Sequence, residues 1–182
     1  MKKELGRKFY NDCYKVEPKY NTHYKNSPYF EMWESILNKV DDIADFGCGV
    51  GQFAQMAIDQ GVKYSYGLDF SDTAIDRCKE INDRFYLRSL HDEDVYSLRP
   101  YKTAVLLEVL EHLDNDKEVL TFIPKGRNIV ISVPNFDSEG HVRYFKDIEE
   151  VLNRYSIIDV ADTETFDIGT QGKQIFVVYG KL

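Results

Sequence analysis

Asp45, Gly47, Cys48, Gly49 and Gly51 fall within seven consecutive residues, Asp-Phe-Gly-Cys-Gly-Val-Gly. The apolar residues Ile43, Ala44 and Phe46 lead into them as a strand. A helical pattern follows at once, with Phe53, Ala54, Ala57 and Ile58 on one face and Gly61 as its left-handed stop. A strand, a Gly-rich turn and a helix start make a nucleotide-type site. The glycines let backbone N–H groups approach a ligand closely, and the helix N-terminus adds its positive dipole end. The third glycine comes one residue earlier than in the GxGxxG dinucleotide fingerprint, which counts against an NAD-dependent dehydrogenase. A second group follows: the alternating run Tyr64 to Asp69 ends on an acid 18 residues beyond Gly51. A carboxylate there can accept hydrogen bonds from both hydroxyls of a ribose, and Phe70 can lie against its base. The third group is Glu108, Glu111 and His112, after the buried-type strand Tyr101 to Leu107, with His141 downstream. Its oxygen and nitrogen donors suit proton transfer at neutral pH or the holding of a divalent cation.

Taken together these groups resemble a known family. Asp45-x-Gly47-x-Gly49-x-Gly51 looks like motif I of the class I (Rossmann-like) S-adenosylmethionine (SAM)-dependent methyltransferases. Gly67-Leu68-Asp69-Phe70-Ser71, continued to Cys78, looks like their motif II. Glu108-Val109-Leu110-Glu111-His112-Leu113 resembles the motif after strand 4 in the small-molecule (type 11/type 23-like) members. Val133-Pro134-Asn135 with His141-Val142-Arg143-Tyr144-Phe145 resembles the loop that walls their acceptor pocket. The likeness runs from about residue 29 to the end.

This resemblance implies methyl transfer from SAM, with S-adenosylhomocysteine as product, to a hydroxyl or amine of a small metabolite such as a phenol, sugar or nucleotide-linked sugar. Asp45, Gly47, Cys48, Gly49 and Gly51 would meet the amino-acid end of the donor, and Asp69 and Phe70 its ribose and adenine. The family's usual Asp after strand 3 has no clear counterpart, so backbone contact from Leu90 or His91 takes its place. Glu108 completes the cofactor set, and Tyr24 is expected as a lid over it. A sulfonium methyl is already electrophilic, so alignment of the nucleophile supplies on the order of 7–11 kcal/mol of the barrier. A base is needed only for a protonated acceptor; His112 is the first candidate and His141 the second. The plainer role for His112 is to orient its loop through a backbone hydrogen bond.

Two other readings stay open. Glu108, Glu111, His112 and a distant His also resemble the metal-binding pattern of RNA 3′-terminal 2′-O-methyltransferases. ExxEH is common in metal-free enzymes, however, and the RNA enzymes' second His context is not matched, so no metal is expected. A SAM-binding domain without catalysis is the other reading.

The elements that must hold these residues follow from the rest of the chain. At 182 residues, with 43% hydrophobic and 30% charged, one soluble α/β domain is expected. The expectation is a doubly wound, seven-stranded, mostly parallel sheet with helices on both faces and an antiparallel strand in a C-terminal hairpin. Residues 1–28 read as an arm or lid of loose structure or short helices, and 29–182 as the methyltransferase domain. Helices are predicted from Pro28 to Val40, from Ser71 or Asp72 to about Asn82, from the Asp114–Asp116 cap to Phe122, and over Ile148–Arg154. Strands are predicted over Arg84–Leu90 and Asn128–Val133, and the last pair over Ser156–Val160 and Gln174–Tyr179 with a long polar connection. Trp33 is expected in the core. The net charge of −8 argues against nucleic acid or an anionic membrane as partner. No apolar run is long enough to span a membrane and the N-terminus lacks a signal-type apolar region. Cys13, Cys48 and Cys78 lack metal spacing and suggest free thiols in a reducing cytoplasm.

Overall fold

Seven segments pair into one sheet in the order β3-β2-β1-β4-β5-β7-β6. They are β1 (Ile43–Phe46), β2 (Tyr64–Asp69), β3 (Phe85–Leu87), β4 (Thr103–Leu107), β5 (Asn128–Pro134), β6 (Asp159–Asp167) and β7 (Gln174–Lys181). The first five pair in parallel, and β7 runs antiparallel to both β5 and β6. The computed structural model describes residues 2–169 and 172–182.

Alternation along the central strands divides the core in two. Ala44, Phe46, Ala104, Leu106, Ile129 and Ile131 face one layer, built with α5 (Asp116–Phe122) and α6 (Ile148–Arg154). Ile43, Val105 and Val130 face the other, built with α2 (Phe30–Leu37), α3 (Gln52–Asp59) and α4 (Asp72–Cys78). Strands apolar on both faces are what a parallel sheet covered by helices requires. No described helix is long and apolar enough to cross a membrane.

The N-terminal arm is more ordered than its composition suggests. α1 (Arg7–Val16) packs on α4, where Asn11 accepts a hydrogen bond from the Ser71 hydroxyl and donates to Asp72. Glu4 then bridges His91 and the backbone N–H of Asp114 at 2.9 and 3.0 Å.

Several boundaries differ from expectation. The helix expected to start at Pro28 begins at Phe30, because Tyr29 sits outside the helical region with ψ near 1°. The helix capped by Ser71 ends at Cys78, and only Phe85–Leu87 of the predicted third strand is paired. The largest difference lies at the C-terminus. β6 begins after Ile158 and extends through most of the predicted connection, which shrinks to 168–173. β6 is an exposed edge strand, polar along most of its length with Phe166 packed against the core, so no sustained apolar alternation marked it.

Candidate active site

The cleft opens at the carboxyl ends of β1, β2 and β4, where an open α/β sheet offers its ligand crevice. A cavity of about 310 Å³ is lined by Asp45, Gly47, Cys48, Gly49, Glu108, Glu111, His112 and His141, among others. A smaller one of about 100 Å³ is lined by Asp69, Phe70, Leu90, His91 and Val109. Gly47, Glu108, His112, Tyr10, Tyr14 and Tyr20 belong to both walls, so the two cavities adjoin. Together they are large enough for a nucleoside-sized ligand, since ligand sites run from about 300 to 1,000 Å³.

The turn after β1 is bound directly to the acid that closes β2. Gly47 and Cys48 N–H both donate to the Leu68 carbonyl, at 2.8 and 2.9 Å. Gly49 N–H donates to Asp69 Oδ2 at 3.0 Å, while Asp69 Oδ1 accepts from Ser71 N–H at 2.8 Å. A carboxylate has about four acceptor positions, so Asp69 keeps capacity for further donors. Gly47 has φ +89°, and a Cβ there would come within 2.5 Å of Val109 Cγ2. The left-handed backbone costs a side chain about 1–2 kcal/mol and the clash adds to it. Gly47→Ala is therefore expected to cost at least about 2 kcal/mol, lowering Tm by about 4–8 °C in thermal melts.

Glu108 ends β4 in an unusual backbone. Its φ is +56°, a strained conformation for a side chain of this size. Ser132 holds it there: its hydroxyl accepts from Glu108 N–H at 2.9 Å and donates to Glu108 Oε1 at 3.0 Å. The next turn carries Leu110, Glu111 and His112. Arg143 anchors that turn by donating to the carbonyls of Leu110 and Leu113, and it is itself braced by buried Asp116. This anchor brings the 141–145 loop down, so that the rings of His112 and His141 lie 4.8 Å apart.

The electrostatics of the cleft lean one way. Asp45 is 3% exposed, and burial pushes its carboxyl up to about 7 against the opposing Tyr64 hydroxyl bond. Burial likewise raises Asp69 to about 6 against the N–H donors of Ser71 and Gly49, and Glu108 to about 8 against Ser132. Glu111 is raised well above the usual carboxylate range, first by burial and then by Glu108. Burial lowers His112 to about 4 and His141 below its ordinary value. Lys19 is the one Lys or Arg on either cavity wall among the described residues. The cleft thus holds four desolvated carboxyls with little positive charge to meet them.

All of the sequence-predicted site residues line this cleft except Gly51 and Tyr24. A Cβ on Gly51 would meet Cys78 and Ile81, so this glycine serves the packing of the turn and does not face the cavities. The other exception is Tyr24, the expected lid. Its hydroxyl donates to Asp59 at 2.8 Å, its ring is buried beside Phe30, and it lines neither cavity. The aromatic cover comes from Tyr10, Tyr14 and Tyr20 of the arm and from Tyr29. Tyr10 and Tyr14 sit four apart in α1, the spacing that puts side chains on one helix face, and this was the available signal. The buried Tyr10 hydroxyl has no partner among the described residues. Trp33 is in the core as expected, and its edge also reaches the cleft. Ser132 and Arg143 were not singled out by the sequence, because each acts through a backbone carbonyl or a strained residue that spacing does not reveal.

A family model described as a methyltransferase domain matches residues 4–165. A search of curated proteins finds no match. Among solved structures, N-methyltransferase NodS from Bradyrhizobium japonicum WM9, in complex with S-adenosylhomocysteine, superposes with a TM-score of 0.69 at 13% identity, over 96% of this chain and 97% of that one. Magnesium protoporphyrin IX methyltransferase from Synechocystis PCC 6803, with bound SAM, gives 0.65 at 14% identity, over 100% of both chains. The [4+2]-cyclase SpnF gives 0.61 at 11% identity, over 83% of this chain and 80% of that one. At these identities the likeness speaks for the fold, and the cyclase among them shows that this fold hosts more than one chemistry.

Proposed function

The chain belongs to the methyltransferase-domain family, and from that membership we propose that it transfers a methyl group from SAM to a hydroxyl or amine of a small metabolite. The observation that carries the reading is the acidic, cation-poor cleft whose two halves are tied by the Gly49–Asp69 hydrogen bond. SAM brings a sulfonium and an ammonium, the charges such a cleft lacks. Gly47 supplies a turn with no room for a Cβ, and Tyr10 an unpartnered hydroxyl on both cavity walls. In this reading Asp45 and the 47–51 turn hold the amino-acid end, with Glu108 beside them. Asp69 holds the ribose, and Phe70, Leu90 and His91 enclose the adenine.

The donor supplies an activated methyl group, so the residues have to align the acceptor and exclude water. The acceptor takes the remainder of the larger cavity, walled by Phe136, Ser138, His112 and His141. His112 Nδ1 lies 3.0 Å from the Gly140 carbonyl, which leaves Nε2 free to accept an acceptor's proton. Titration calorimetry with S-adenosylhomocysteine tests the donor half. Labelled methyl incorporation into a metabolite extract tests transfer. Absence of binding rejects the proposal, and binding without transfer to any metabolite leaves a SAM-binding domain in its place.

The raised carboxyl of Asp45 adds a pH signature. An ammonium binds the ionised carboxylate, so protonation competes with the ligand below the free protein's value of about 7. S-adenosylhomocysteine affinity is expected to level off above pH 7, to fall roughly tenfold per pH unit below it, and to fall more steeply below about 6, where Asp69 is protonated as well. Calorimetry between pH 5.5 and 8.5 reads this, and an affinity flat across that range removes Asp45 from the contact.

A further inference from the structure

The turn after β4 and the loop after β5 meet at three side chains. Glu111, His112 and His141 each offer a ligand atom within 4.8 Å of the others. Glu111 is 0% exposed, and neither carboxyl oxygen has a hydrogen-bond partner among the described residues. A buried carboxyl left without any donor is costly and needs a partner of some kind. A hydrogen bond to the neighbouring imidazole does not supply it, since Glu111 Oε1 and His112 Nε2 are 3.7 Å apart.

The two imidazoles are turned the same way. His112 Nδ1 lies 3.0 Å from the Gly140 carbonyl, and His141 Nδ1 lies 3.2 Å from the Phe136 carbonyl. A carbonyl only accepts, so each Nδ1 carries the proton and each Nε2 keeps its lone pair. Imidazoles fixed by backbone carbonyls at the far nitrogen are the usual outer shell of a metal site. Glu108 does not join the set, because Ser132 holds its carboxylate.

We propose that Glu111, His112 and His141 bind one divalent transition-metal ion through a carboxylate oxygen and two Nε2 atoms. Two imidazoles with one carboxylate suit zinc, cobalt, iron or nickel better than magnesium or calcium, which take oxygen ligands. All three side chains line the larger cavity, so the ion's remaining positions face the space assigned to the acceptor. Two Nε2 atoms on a metal cannot also accept a proton. The ion would instead lower the pKa of an acceptor hydroxyl, whose proton would then pass to water. The binding itself needs only these three side chains and does not depend on the methyl-donor reading.

The test is titration of the chelator-stripped full chain with Co²⁺, followed by visible absorption. Saturation at one ion per chain, with ligand-field bands of a nitrogen and oxygen site, is expected. Glu111→Gln and His141→Ala should each weaken uptake at least about 100-fold, while His23→Ala, an exposed imidazole outside the cleft, leaves it unchanged. S-adenosylhomocysteine binding in chelator, expected to persist in the wild type and both variants, checks that they fold. No saturable uptake by the wild type overturns the proposal, as does uptake undiminished in Glu111→Gln. Loss of Co²⁺ uptake and loss of S-adenosylhomocysteine binding are separate results, so this site and the donor site fail independently.

Discussion

Asp69→Ala is expected to weaken S-adenosylhomocysteine binding by at least about 100-fold. Two hydroxyls of a ribose donating to one carboxylate make two charge-assisted hydrogen bonds, each worth about 1.5–3 kcal/mol, so at least about 3 kcal/mol is at stake. The loss is compounded because Asp69 also accepts from Gly49 and Ser71. Without it the Gly49 N–H loses its partner and the turn after β1 loosens at the amino-acid end of the cleft. Asp69→Asn separates these effects. An amide keeps one oxygen for Gly49 or Ser71 but no charge and fewer acceptor positions. Its binding should fall by about tenfold or more while Tm stays nearer to the wild type than that of the alanine variant. Calorimetry and melts on both variants measure this, and Asp69→Ala binding within threefold of wild type would falsify the ribose assignment.

That hydrogen bond also explains why so much of the cleft could be read from the sequence. Asp45, the turn glycines and Asp69 are set by local geometry, a strand end followed by a turn and a helix start, and local geometry leaves a residue pattern. The doubly wound, mostly parallel character of the sheet followed from alternating strands and helices, and Ser71 and Asp147 cap their helices as their residue types suggest. What stayed hidden is long-range. Tyr24 has the composition of a lid residue, but Asp59, on the outward side of α3, takes its hydroxyl. The arm residues that do cover the cleft depend on how α1 lies across α4, and that docking rests on Asn11, Arg7 and Glu4 meeting partners 60 or more residues away. β6 was legible only at its start, Asp159 and Val160, and for a different reason. Beyond a bulge at Ala161 it is held largely by hydrogen bonding to β7, and pairing of that kind leaves little apolar pattern in the sequence. The ring orientation of His112 and His141 belongs with these cases. Spacing showed that a carboxylate and two imidazoles were available, but only the Gly140 and Phe136 carbonyls decide which nitrogens face Glu111.

His112→Ala is expected to lower methyl transfer to a hydroxyl acceptor by about 10²–10⁴-fold, the range for loss of a positioned proton acceptor, or about 2.7–5.5 kcal/mol in the barrier. With an amine acceptor, which arrives with its own lone pair when neutral, the loss should be smaller. The pH profile carries the mechanism. Burial lowers His112 to about 4, so the ring is neutral throughout the physiological range. As a free base it would give a rate that falls only below about pH 4–5, beneath the limb near 7 set by Asp45. A low value also makes it a weak base, which limits how much of the proton transfer it can drive unaided. A cation held by Glu111, His112 and His141 would remove that weakness, since it would supply the acidity that a base of this pKa does not. The two cases part in one experiment, the rate of labelled methyl transfer measured with and without chelator. A chelator-insensitive rate, lost in His112→Ala, assigns the imidazole as base. A rate lost to chelator, restored by Co²⁺ in the wild type and not in His112→Ala, assigns it as ligand. A rate unchanged in His112→Ala removes this residue from the chemistry and leaves it the plainer task of tying the turn after β4 to Gly140.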